Sequence, residues 1–417
     1  MKRIGKIVLC CALSLSGFTA LHGYSAQAAA TTQPGVTILL DGYPLPFPVE
    51  PAVMKGTTMV PFRAIAEALG IPVIWNQTAK KITANKQVGT VDKQVELTIG
   101  SVNAVVNGGT VKLAVAPQNV RGTTMIPLSF FSGQFGAAVS WDQLTKTVSI
   151  ISPKKDMYTL GFYALSSFDQ YSFVPDFDAI AFGWSRIDRN GEFTTQGDEY
   201  KWPKPAGELT PELMVSDAAA TGTTPYLMVY SVDGKLELTK NLEDQVLQER
   251  TTTGIVDTAV QKGFQGILLD LEGLGLTGDK AKVRSEYNLF VKNLSSKARQ
   301  AGLKLTLILH PLNSSYTGYD YKTLGTLADD LIIMAYAYED EKSPEPVKKV
   351  DEAIRLALQQ VSKDKLILGI SLGSENENSV NTKIGLAKRY DLKGIAIWRL
   401  GIIGQPAWTQ MNGSVEF

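Results

Sequence analysis

From residue 157 to the end of the chain, short apolar runs alternate with longer amphipathic stretches. The runs fall at 157–164 (MYTLGFYA), 178–185, 224–231, 265–272, 303–310, 330–337, 365–372 and 394–400. Runs of this length, rich in Ile, Leu and Val and bounded by polar or glycine-containing segments, read as strands buried on both faces. Helical periodicity separates them at 241–261, 280–301, 347–361 and 378–390, more weakly at 166–176 and 311–329, and from Pro211 within 207–220. Eight strands alternating with helices predict an α/β fold, a (β/α)8 TIM barrel over 157–417. The alternative, a doubly wound open sheet, lacks its glycine-rich phosphate turn. Gly273, Gly275 and Gly278 follow a strand, but Glu272 beside them would repel phosphate.

Ahead of the barrel the pattern changes to short β-rich segments with two short helical ones, over 35–152. This region repeats itself at an offset of 66: Lys55-Gly56-Thr57-Thr58-Met59-Val60-Pro61-Phe62 returns as Arg121-Gly122-Thr123-Thr124-Met125-Ile126-Pro127-Leu128. Gly70 then matches Gly136, Trp75 matches Trp141 and Lys80 matches Lys146 without a gap. Such self-similarity marks a duplicated supersecondary unit. Each copy reads as a strand, a proline-opened helix, a Trp-bearing strand and a closing strand, which makes an α+β module. The pattern KGTTMVPFRAIAEALG…W resembles the stalk-like domain found at the N-terminus of copper amine oxidases. Oxidase chemistry does not come with it, because that needs copper-ligating histidines and 35–152 contains none. Trp75 and Trp141 read either as core or intermodule packing or as a sugar-stacking pair. The module is expected to position or attach, for instance to cell wall, and not to catalyse.

Residues 1–30 have the make-up of a secretory signal: basic Lys2, Arg3 and Lys6, an apolar stretch from Ile7 to Leu21, and a small-residue exit at Ala26-Gln27-Ala28. Its removal leaves 38 basic against 41 acidic residues, a net charge of about −3. Charges of both signs are interspersed, which argues against nucleic acid as partner. Both cysteines, Cys10 and Cys11, lie in this leader, so the mature chain has no thiol for a disulfide, a metal or nucleophilic catalysis. His310 is the single histidine beyond the leader, and a multi-histidine metal site is excluded. The expectation is a secreted protein, extracellular and cell-wall or spore associated, with no membrane span, metal or cofactor.

Within the fourth run, Gln265-Gly266-Ile267-Leu268-Leu269-Asp270-Leu271-Glu272, two acids stand one residue apart. On a strand Asp270 and Glu272 share a face, and at a C-terminal strand end they fall at the barrel mouth. Counting to the other strand ends adds Tyr163, Trp184, Tyr226, Tyr230, His310, Tyr336, Tyr338 and Trp398. Aromatic planes around two carboxylates suit sugar rings. Each aromatic taken singly is as readily a core residue, and His310 as readily a loop one. Arg399 is expected to be an ion-pair partner outside the barrel.

On these residues the segment 157–404 resembles glycoside hydrolase family 18, in its spore-cortex and peptidoglycan branch. Gly266, Asp270 and Glu272 match the D-G-x-D-x-D-x-E strand, Met334-Ala335-Tyr336 the M-x-Y-D motif, and Trp398 the strand-8 tryptophan. Ala181-Phe182-Gly183-Trp184-Ser185-Arg186-Ile187-Asp188 is similar to strand 2 of the spore-associated members. The resemblance implies retaining, substrate-assisted hydrolysis of β-linked N-acetylglucosamine glycan, peptidoglycan or chitin. Glu272 would be the general acid, Asp270 would hold the substrate acetamide and raise the pKa of Glu272, Tyr336 would bond the acetamide oxygen, and Trp398 would floor the sugar. Gln265, Leu268 and Ala337 depart from the family pattern. Leu268 and Ala337 favour the second reading, a weak or inactive barrel that binds wall glycan.

Overall fold

The computed structural model describes residues 35–336, 338 and 341–417. The leader at 1–30, together with Ala337, Glu339 and Asp340, lies outside the described residues.

The N-terminal half is built from its repeat. Strands Thr57–Pro61 and Thr123–Pro127 pair antiparallel, with Val60 opposite Ile126. These two residues are equivalent in the repeat, so a local two-fold axis passes between them. Each strand runs into a seven-residue helix, Phe62–Ala68 or Leu128–Gln134, and the proline of each copy stands at the N-cap. Its missing N–H costs nothing there. Both hairpins turn on a left-handed pair, Lys55-Gly56 and Arg121-Gly122, with φ of 48° and 75° in the first and 49° and 82° in the second. Such turns match the twist of the strands they join. The Trp-bearing strands Val73–Asn76 and Ala138–Asp142 each pair with a closing strand, Lys81–Val88 or Thr147–Ile151. A common core under them includes Ile65, Leu97, Ile126, Phe131 and Phe135.

The second half closes on itself. Strands β1 (Tyr158–Tyr163), β2 (Ala179–Ile187), β3 (Thr224–Val232), β4 (Gly266–Glu272), β5 (Lys304–Leu309), β6 (Asp330–Ile333), β7 (Leu366–Ser371) and β8 (Gly394–Trp398) pair in parallel. β8 pairs with β1 and β1 with β2, which completes the (β/α)8 barrel. All eight apolar runs became strands. The helical stretches formed as well, except that 165–176 is a run of 3-10 turns interrupted at Gln170. None of the described helices is long and apolar enough to cross a membrane.

Alternation along the strands sorts the barrel into two apolar layers. Ile267, Leu269 and Leu271 of β4 face outward into the large core beneath the helices. Leu268 faces inward, where it meets Met228, Ile308, Ile332 and Ala396. The N-terminal module meets the barrel at helix Val380–Arg389: Arg389 donates to the carbonyls of Tyr43 and Pro44 at 3.2 and 3.1 Å.

Candidate active site

Inward positions at the C-terminal ends of the strands surround a cavity of about 380 Å³. β4 delivers Asp270 and Glu272 to it, β3 Tyr230, β8 Trp398, and the segments after β5 and β6 bring His310, Tyr336 and Tyr338. Tyr336 has its place because β7 carries Gly369 opposite it. A Cβ there would stand 3.0 Å from Tyr336 Cε1 and 2.9 Å from the Ile333 carbonyl oxygen. Trp398 rests edge-on against Phe162 below, with centroids 5.3 Å apart.

The two carboxyls differ in environment. Asp270 is 3% exposed, and its Oδ1 has no hydrogen-bond partner among the described residues. Beneath it stands Leu268, which offers no polar atom. Burial, and then the charge of Glu272, push the Asp270 pKa well above the usual carboxylate range. Glu272 is more open to the cavity. Burial first and the charge of Glu341 second lift it to about 7 from its ordinary value of 4.5. Repulsion between the two carboxyls acts on both, so burial, Glu341 and the neighbouring acid together keep a proton on the pair above the usual carboxylate range.

His310 does not act as a cation. Its Nε2 accepts the Gly273 N–H at 3.4 Å and stands 3.8 Å from Glu272 Oε2, with its ring stacked on Tyr316 at 3.9 Å. Burial lowers its pKa to about 4, so near neutral pH it is a neutral acceptor that fixes the corner after Glu272. Among the described residues no cluster of three or more His, Cys, Asp or Glu is arranged to hold a metal ion.

Known proteins bear on both halves. Residues 39–150 match the copper amine oxidase N-terminal domain. The cortical fragment-lytic enzyme of Bacillus anthracis is 27% identical over 180 residues, 40% of this chain and 40% of that protein. The chain thus spans well under half the length of that curated relative. The spore cortex-lytic enzyme SleL of Bacillus megaterium QM B1551 is similar in structure with a TM-score of 0.52, at 14% identity over 63% of this chain and 75% of that one. A chitinase from Chromobacterium violaceum ATCC 12472 gives 0.52 at 20% identity, covering 62% of this chain and 98% of that one. The barrel shares its fold with that cortex-lytic enzyme and that chitinase.

In this barrel, Asp270, Glu272, His310, Tyr230, Tyr336, Tyr338 and Trp398 meet at one cavity. Three expected members, Tyr163, Trp184 and Tyr226, do not. Tyr163 and Trp184 are 3% and 0% exposed in the outer core, packed on each other and on Phe182. The inward positions of β1 and β2 are Leu160, Phe162, Ala179 and Ala181, so Tyr163 and Trp184 fall on the opposite face. Tyr226 does point inward, but it lies in the fully buried floor below the mouth. Tyr338 turns its hydroxyl away to Asn313 at 3.0 Å, leaving its ring toward the cavity. Arg399 donates to the Leu400 carbonyl, and no ion pair joins it to a described residue.

Tyr200 was not foreseen. It stacks on Tyr230 with centroids 4.0 Å apart and an interplanar angle of 13°, and forms one wall of the cavity. It stands in the long excursion between β2 and β3, with a left-handed φ of 45°. Gly183 leaves room for its ring, since a Cβ there would lie 3.4 Å from Tyr200 Cδ1.

Proposed function

We propose that the chain is a secreted glycoside hydrolase that cleaves β-linked N-acetylglucosamine glycan, with the substrate's own acetamide as nucleophile. The observation that carries this reading is a carboxyl held at a pKa of about 7, Glu272, beside a buried carboxyl with an unpartnered oxygen, Asp270. A group poised near neutrality is suited to give a proton and take one back. Protonated Glu272 donates to the glycosidic oxygen as the acetamide carbonyl oxygen attacks the anomeric carbon and the leaving sugar departs. The acetamide N–H donated to Oδ1 of Asp270, and then the positive oxazolinium, favour the ionised form of Asp270, so the proton of the pair stays on Glu272 until it is given to the leaving oxygen and Asp270 carries the balancing negative charge. Glu272, now a carboxylate, deprotonates a water that opens the ring from the same face, so configuration is retained. Tyr336 donates to the acetamide oxygen, and Trp398 with the Tyr200–Tyr230 pair supplies apolar planes for the sugars.

The substrate class draws on the names of the relatives, cortex-lytic enzymes and chitinases. The favoured polymer is peptidoglycan or spore-cortex glycan, met outside the cell, with the N-terminal module assisting attachment to the wall. The orphaned Asp270 above apolar Leu268 also gives the second reading, a glycan-binding barrel with little turnover, its observation. Release of reducing ends from purified cortex peptidoglycan and from N-acetylglucosamine oligomers decides between them. The hydrolase produces new ends from at least one substrate; retention on both polymers with no new ends leaves the binder.

Three expectations follow from the site. kcat/KM should fall as pH rises through about 7, as Glu272 loses the proton it must donate. The same shift links to folding. A folded-state pKa above the unfolded value means that the folded chain holds its proton longer. The contribution of Glu272 is fully present below about pH 4.5 and is lost as pH rises through about 7. A pH series of melting curves on wild type and Glu272→Gln reads this out, and the variant should lose that part of the slope. Tyr336→Phe, which keeps the ring over Gly369, should cost about 10²–10³-fold in kcat with little change in melting temperature. Steady-state kinetics on a soluble oligomer checks it.

A further inference from the structure

The two copies in the N-terminal module differ in the surroundings of their equivalent tryptophans. Trp75 and Trp141 are equivalent, and each indole N–H is pinned by the glutamine two residues on, to Gln77 Oε1 at 2.7 Å and to Gln143 Oε1 at 2.8 Å. Their faces fare differently. Trp75 is half-buried and meets the Phe62 ring at 6.3 Å. The counterpart of Phe62 is Leu128, fully buried and without a ring to offer, and Trp141 is 43% exposed with no aromatic partner among the described residues. An indole fixed by its edge with a bare face is a preformed platform.

Trp141 forms part of the wall of a groove of about 500 Å³, within the roughly 300–1,000 Å³ range of small-molecule sites. Phe130, which stands where the first copy has Ala64, supplies a second aromatic surface. Thr57, Thr58, Ser129 and Ser140 also line the groove, and their hydroxyls make no hydrogen bond to a described residue. Lys112 is the one charged residue among those lining it. A hydroxyl-lined, charge-poor groove with a bare indole matches a neutral polyhydroxy chain and offers little to a charged peptide. We infer that the Trp141 groove is a second glycan-binding site, which holds another stretch of the polymer whose cleavage is assigned to the barrel. The assignment rests on the hydrolase reading only for the identity of the polymer. Tethering one chain at two sites raises the local concentration of glycan at the barrel mouth without any change in the mouth itself.

The test uses the full chain and its Trp141→Ala, Trp141→Phe and Trp75→Ala variants, with retention on insoluble peptidoglycan and on chitin measured against protein concentration. Melting curves identify any unfolded variant. Trp141→Ala is expected to weaken retention on at least one polymer about tenfold, and Trp141→Phe to recover most of it. Retention by folded Trp141→Ala equal to wild type on both polymers overturns the site. So does a change in sedimentation with no change in retention, which would make the groove a self-association face. Repeating the series in Glu272→Gln separates the two readings. If wild type releases no reducing ends yet retention still depends on Trp141, the hydrolase reading fails and the groove stands.

Discussion

Glu272→Gln should reduce release of reducing ends by about 10²–10⁴-fold while glycan is still bound, the size expected from loss of a positioned general acid. Glutamine keeps the side-chain shape and places an amide where the carboxyl stood. It has no proton to give to the leaving oxygen and cannot accept one from water in the second step, so both halves of the reaction suffer. Binding has no such requirement, because Trp398, Tyr200 and Tyr230 remain in place. The substitution also removes the charge that raises Asp270. The pKa of Asp270 should fall, and the step in activity near pH 7 should vanish from whatever turnover is left. A loss in affinity matching the loss in rate would mean that Glu272 holds substrate and does not transfer its proton.

Lys383→Met should be the most damaging change away from the cavity, costing about 3–5 kcal/mol of stability. Lys383 and Glu375 form an ion pair at 3.0 Å in which the side chains are 3% and 1% exposed. Methionine fills the space but leaves Glu375 charged, buried and without its cation, and desolvation is then uncompensated. The pair also orders the mouth. Glu375 accepts the Glu345 backbone N–H at 2.9 Å, and Glu345 accepts the N–H of Tyr338 at 3.3 Å. Loss of the pair should therefore lower kcat/KM as well as the unfolding midpoint. Lys383→Met combined with Glu375→Leu should recover much of the stability, because an apolar pair of similar volume needs no partner charge. Urea unfolding of the three proteins checks this, and equal midpoints for Lys383→Met and wild type would show the pair to be unimportant.

The barrel was legible because its strands are buried on both faces, so their apolar runs stand out from the amphipathic helices between them. The duplicated module was legible from its offset of 66 alone. Side-chain direction was less so. Asp270 and Glu272 obeyed the two-residue period, yet Tyr163 and Trp184 were assigned to the mouth by nearness to a strand end when their parity put them outside. Tyr200 could not be read, because it arrives from an irregular excursion with a left-handed backbone and not from a strand. A tyrosine there gains meaning only once Gly183 and Tyr230 are seen to cradle it. Lys383 and Glu375 carried no signal either, since isolated charges near a helix start are usually solvated. Leu268 departs from the family pattern, and the structure gives it a physical consequence: the acid above it has an oxygen without a hydrogen-bond partner among the described residues.

The central claim is that the substrate's acetamide supplies the nucleophile at the Asp270–Glu272 pair. Time-resolved proton NMR on N-acetylglucosamine oligomers and on their de-N-acetylated counterparts tests it most directly. The expected result is that the β-anomer of the product appears first and that de-N-acetylated oligomers are not cleaved. Initial release of the α-anomer, or equal cleavage of the two substrates, would contradict it.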